Sequence, residues 1–126
     1  MANANDIYIV SGCRTAIGDF GGALKSFMPS DLGAIVAKEA IARAGVQPSD
    51  IEHVVFGQVM QTSAKDSFLG RVIALKADIP VEVPAYSLSR LCGSGVESMI
   101  SCAQMMKLGE AKVCLAGGAE SMSNVP

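Results

Sequence analysis

The chain has 126 residues, the length of one ordinary domain and enough to bury a sizeable core. Half of it is hydrophobic before its 13 glycines are counted, and only 17% is charged, against a usual ~25%. Ten basic and twelve acidic residues leave a net charge of −2, and tryptophan is absent. This excludes the basic patch and stacking platform of a nucleic-acid binder. No apolar run approaches the ~18 residues of a membrane-spanning helix. Residues 1–6 (MANAND) carry neither the basic and apolar regions of a signal peptide nor the arginine-rich pattern of a transit peptide. The expectation is therefore a cytoplasmic protein with free thiols and no nucleic-acid or membrane partner. So few polar residues also predict either an unusually apolar exterior or a surface partly covered by another chain or domain.

In chain order, residues 7–10 (IYIV) form a short β-branched run that closes on Ser11-Gly12 and reads as a buried strand. Residues 15–29 are a glycine-rich loop. Ser30 or Asp31 then caps a helix to about Ala44, with Leu32, Ile35, Val36, Ala40 and Ile41 on one face and Gly45 as its stop. Pro48-Ser49-Asp50 begins a turn, and residues 54–56, extending to Val59, form the second strand. A second helix is predicted over residues 67–77. Pro80 and Pro84 bracket an extended piece, and residues 85–88 form a third strand. After a turn at residues 91–95 a third helix runs to about Leu108 and is closed by Gly109. Residues 113–116 (VCLA) make the fourth strand, leading into Gly117-Gly118. The order is β-α-β-α-β-α-β. The strands are near-continuous apolar runs, the mark of a mostly parallel sheet in an α/β fold with helices on both faces, joined by right-handed crossovers. The third helix carries Val96, Met99, Ile100, Cys102, Ala103, Met105, Met106 and Leu108 over most of its circumference, which predicts burial on more than one side.

The four cysteines are Cys13, Cys92, Cys102 and Cys114, with one histidine, His53. There is no CxxC pair, so metal-ligand spacing is not met. Without a secretory signal a disulfide framework is not expected. A small buried hydrophobe is the ordinary role of such a cysteine. Cys92 stands apart because it lies where a strand turns sharply into a helix, between Leu91 and Gly93-Ser94-Gly95. Small neighbours permit a tight turn and close approach of a substrate. The unpaired N–H groups and dipole of the helix start favour a thiolate and can hold a developing oxyanion. Two other readings stand beside this one: a cysteine that merely fills the turn, and a dinucleotide fingerprint opened by Gly93-x-Gly95. The second is poor, because Ser98 holds the third glycine position and no acidic residue ends a second strand where one is required.

Three stretches carry a resemblance. Residues 9–22 (IVSGCRTAIGDFGG), Arg90-Leu91-Cys92-Gly93-Ser94-Gly95 and residues 116–123 (AGGAESMS) resemble, in order and spacing, three motifs of the thiolases, acetyl-CoA acetyltransferases and β-ketothiolases. They span essentially the whole chain. The Ser-Met-Ser ending favours thiolase proper over the condensing enzymes that use acyl carrier protein. Residues 61–71 are similar to the β-ketothiolase branch. Ser89 departs from the family, where many members have asparagine.

The resemblance implies the thiolase layered fold: residues 1–118 as an N-terminal domain lacking its last strand, residues 119–126 as the start of a loop region, and no C-terminal domain. It implies acyl transfer between coenzyme A thioesters, with Cys92 as nucleophile and its own N–H as an oxyanion donor. Acetyl-CoA and 3-ketoacyl-CoA would be substrates. No cofactor would be bound permanently, no metal would be held, and no coenzyme A-binding residue is assigned. The remaining partners implied are the rest of a thiolase chain and further copies in a dimer or tetramer. The family's catalytic histidines and second cysteine have no match here. His53 is read as structural, and so are Cys13, Cys102 and Cys114. For the 126 residues alone the expectation is no catalysis, the alternative role being a structural or interaction module.

Overall fold

The structure, a computed structural model, describes residues 5–126; the reading of residues 1–4 as free of a targeting signal lies outside it. After an irregular N-terminal segment, the elements are α1 (Pro29–Ala44), a 3-10 turn (Pro48–Asp50), β1 (His53–Gly57), a second 3-10 turn (Ala64–Phe68), α2 (Leu69–Lys76), β2 (Ala85–Leu88), α3 (Ser94–Lys107), β3 (Cys114–Gly118) and a last 3-10 turn (Met122–Asn124). The sheet has three strands in the order β2-β1-β3. Both pairings are parallel, with Val55 opposite Tyr86 on one side and Ala116 on the other. No helix of the described residues is long and apolar enough to cross a membrane.

The helix ends follow local chemistry. Helix α1 starts one residue earlier than its predicted cap. Pro29 fits the first turn because its missing N–H is not needed there. Asp31 stands in the first turn, and its carboxylate accepts the Met28 N–H at 3.2 Å. Gly45, with φ of +68°, ends α1 in the left-handed conformation that suits glycine. Helix α2 is shorter than predicted because residues 64–68 wind as a 3-10 turn around Asp66.

Helices lie on both faces. Helices α1 and α2 pack on each other, α2 on the face of β1 that presents Val54 and Phe56 and α1 beside it on β3. Their shared core holds Ala37, Ile41, Leu69, Ile73 and Ala74 together with Leu115 of β3. Helix α3 covers the opposite face, packing on β1 and β3. Strand β1 is therefore buried on both sides from Val54 to Gly57, as a central parallel strand must be.

Two expectations need correction. Residues 7–10 are not a strand. They form no regular element and lie at the surface, with Ile9 82% and Val10 71% exposed, and the chain is held just beyond them where Ser11 Oγ donates to the Ala40 carbonyl (2.7 Å) and Cys13 Sγ to the Val36 carbonyl (3.2 Å). A cleft of about 680 Å³ separates this segment from β3 and the chain beyond it. Sheet pairing needs a neighbour within ~4.8 Å, and none lies there, so β-propensity is not converted into a ladder. Helix α3, in turn, is not buried on more than one side within this chain. Its buried residues are Ser94, Ser98 and Cys102, one small residue per turn, because the helix sits close on the sheet. Val96, Met99, Ile100 and Leu108 face outward and are exposed.

Candidate active site

Strand β2 ends at Leu88 and α3 begins at Ser94; the five residues between them form the elbow. The Gly93 N–H donates to the Arg90 carbonyl (3.1 Å) and the Ser94 N–H to the Leu91 carbonyl (3.0 Å). The Ser94 hydroxyl accepts the Arg90 N–H at 2.8 Å and donates to the Leu91 carbonyl at 2.6 Å. These bonds hold Leu91 at φ of +50°, a left-handed conformation that costs a non-glycine residue about 1–2 kcal/mol. Arg90 leans across the first turn of α3 to Glu97 at 3.4 Å. The result is that Cys92 is the exposed thiol of this chain. Cys102 is buried, and Cys13 and Cys114 are half-buried.

The elbow sits at the carboxyl ends of β1 and β3, where ligands bind in open parallel sheets. Gly57, the last residue of β1, makes this possible. A Cβ there would lie 2.5 Å from the carbonyl carbon and oxygen of Ser94, so only glycine lets the strand end touch the helix start. The strand exits are stitched together: the Gln58 N–H donates to Leu88 (3.0 Å) and the Ala119 N–H to Gly57 (3.2 Å). Around Cys92 they leave a pocket of about 280 Å³, lined by Gly57, Gln58, Val59, Leu91, Ser94, Gly95, Gly118, Ala119 and Glu120. The larger cleft beside β3 is not lined by Cys92.

The other candidate residues lie elsewhere. His53 opens β1 at the end opposite the elbow and meets the Tyr86 ring edge-on, centroids 5.6 Å apart. Cys13 bonds the back of α1. Cys102 on α3 points its thiol at the Leu115 carbonyl of β3 (3.9 Å), and the neighbouring Cys114 thiol, reinforced by burial, pushes the Cys102 thiol up so that it stays protonated. Among the described residues no group of three histidine, cysteine, aspartate or glutamate side chains could hold a metal.

Two acidic residues near the pocket escaped sequence reasoning. Glu120 lies inside the 116–123 motif, yet nothing in its spacing marked it. Its two carboxylate oxygens accept the N–H groups of Val59 and Met60, each at 3.0 Å. Asp66 is buried in the loop that follows β1 and gathers the Thr62 N–H (2.6 Å), the Thr62 hydroxyl, the Ser63 N–H (3.2 Å) and Gln58 Nε2 (3.4 Å). Burial pushes this carboxyl up, but those bonds outweigh it and hold it below the usual carboxylate range. The only sequence signal was an acid among small polar residues after a strand.

The thiolase N-terminal domain family matches residues 7–126 of the chain. A β-ketothiolase of Cupriavidus necator is 50% identical over 121 residues, covering 96% of this chain and 31% of that protein. The human mitochondrial 3-ketoacyl-CoA thiolase is 40% identical over 126 residues, covering all of this chain and 32% of that one. Its crystal structure in complex with CoA superposes with a TM-score of 0.91 over 93% of this chain and 30% of that chain, at 41% identity. The Bacillus anthracis acetyl-CoA acetyltransferase gives 0.89 over 94% of this chain and 30% of that chain, at 38% identity. The chain thus spans about a third of the length of these relatives, and on sequence and structure alike it belongs to the thiolase N-terminal domain family.

Proposed function

We propose that the chain carries the acyl-accepting cysteine of a thiolase and works with the rest of a thiolase polypeptide. The observation that carries this reading is the exposed Cys92 on a tightly bonded elbow, opening into a pocket at the strand ends. The Cys92 thiolate attacks the carbonyl carbon of an acyl-CoA thioester. The C–S bond to coenzyme A breaks, the CoA thiolate leaves and takes a proton, and the acyl group remains on Cys92. The Cys92 N–H donates to the oxyanion formed on the way. The α-carbon of a second acetyl-CoA, once deprotonated, then attacks the acyl-cysteine, giving 3-ketoacyl-CoA and freeing the thiolate. Thiolysis runs the same steps backward with the CoA thiol as attacker. Coenzyme A thioesters are substrates here and no resident cofactor is assigned. That the human relative was crystallised with CoA supports the substrate class.

The first step needs a base for the Cys92 thiol and the second a base for the α-carbon. His53 sits at the wrong end of β1 to serve, so we expect these from the rest of the polypeptide. The outward apolar residues of α3 and of residues 7–20 suit contact with that remainder or with a second copy. The test is intact-protein mass spectrometry after acetyl-CoA is added to the chain combined with a thiolase C-terminal part. One acetyl group on Cys92, absent in C92A, is the expected result. Acetylation that survives C92A, or none in the combined protein, would overturn it. The chain alone should show no thiolysis of acetoacetyl-CoA.

A further inference from the structure

Glu120 is half-buried and spends both carboxylate oxygens on backbone. Its two oxygens each take one backbone N–H, from Val59 and Met60, sixty residues away in sequence. Those two groups belong to the chain just after β1, where the ladder has ended and no strand remains to accept them. Carboxylate-to-backbone bonds are charge-assisted and stronger than neutral ones. The neighbouring residue adds a third tie, from the Ala119 N–H to the Gly57 carbonyl. Gly57 in turn is seated against the carbonyl of Ser94, and the Ser94 hydroxyl sets the elbow. A continuous line of contacts therefore runs from the Glu120 carboxylate to Cys92, and both residues line the same pocket.

We propose that Glu120 is a positioning residue for Cys92: its carboxylate clamps the exit of β1, keeping Gly57 seated on Ser94 so that the elbow presents the thiol to the pocket. The proposal rests on the reading of Cys92 as nucleophile. The clamp also answers an electrostatic problem. A bare carboxylate in the pocket would oppose a thiolate, and two N–H groups aimed at it offset that charge.

The sign of the effect separates positioning from charge alone. E120Q preserves shape, removes the charge and turns one acceptor into a donor facing an N–H. The measurements are amide hydrogen exchange at Val59 and Met60, and the rate of iodoacetamide alkylation of each cysteine, in the 126-residue chain at neutral pH. Exchange at both amides should accelerate about tenfold or more. Alkylation, which proceeds through the thiolate, should slow about threefold or more at Cys92 only. E120D, whose shorter carboxylate still reaches one N–H, should recover part of the Cys92 rate. Persistent protection of Val59 and Met60 would overturn the proposal. So would a Cys92 rate unchanged or faster, as loss of a nearby charge alone would give, or an E120D rate no higher than that of E120Q. Acceleration at all four cysteines together would mark Glu120 as merely structural and would also overturn it. Alkylation involves no CoA thioester. Failure of acetylation in the wild type would therefore remove the nucleophile reading and with it the clamp's purpose in acyl transfer, with the alkylation result unchanged, whereas failure here removes the clamp alone.

Discussion

Gly57 shows how one hydrogen atom can decide a site. Ala at this position would push its methyl to 2.5 Å from the backbone of Ser94, and the backbone cannot yield as a flexible side chain can. G57A should cost about 1–3 kcal/mol of stability by overpacking, read from urea unfolding followed by circular dichroism. Gly95 is the control: nothing lies within 4 Å of a Cβ there, and alanine is the better helix former by about 1 kcal/mol, so G95A should be neutral or stabilising. Equal losses in the two variants would show that close approach at Gly57 is not what matters. The sharp strand-to-helix turn at Cys92 was legible in the sequence because Gly93-Ser94-Gly95 follows a short apolar run and opens a helix. Gly57 was not, since nothing in a strand-end glycine says which backbone will come to rest on it.

The loop between β1 and α2 is held by one buried charge. Asp66 is held below its ordinary pKa in the folded chain, so its stabilising effect is present above the unfolded value of 3.8 and is lost as pH falls through the lower folded value. Thermal melts of the wild type should therefore drop below about pH 4 by more than those of D66N, which lacks the titrating group. D66N should itself be less stable at pH 7, by about 1–3 kcal/mol, because the amide cannot accept all the bonds that the carboxylate gathers. Parallel pH curves for the two proteins would remove Asp66 as the cause. At this scale the helices and the strands β1 to β3 were readable from apolar runs and stop signals. What escaped was the interior of α3, where the buried stripe is Ser94, Ser98 and Cys102. A hydrophobicity count reverses that helix, because seating it close on the sheet demands small residues inside and leaves the larger ones outside.

Taken whole, the molecule displays more apolar surface than its size requires. Ile9, Ile17, Phe20 and Leu108 are each more than 70% exposed, and a long apolar cleft lies open along β3. Patches of this kind mark interaction surfaces. The chain in isolation should bind the dye ANS and self-associate in light scattering while still melting cooperatively. Cooperative melting separates a folded, sticky surface from a molten globule. A monomer that leaves the dye dark would show that the surface is covered in solution in some other way.

Composition, the apolar runs and the glycine and serine placement around Cys92 were enough for the α/β class, the parallel sheet and the cysteine elbow. Each depends on local propensity or on periodicity, and these are properties of neighbouring residues. Only the tertiary structure decided that residues 7–10 stand away from the sheet, that α3 turns its small residues inward, and that Glu120 closes over the exit of β1. Each turns on what tertiary packing sets alongside: no strand beside residues 7–10, a sheet face beneath α3, and for Glu120 two N–H groups about sixty residues away.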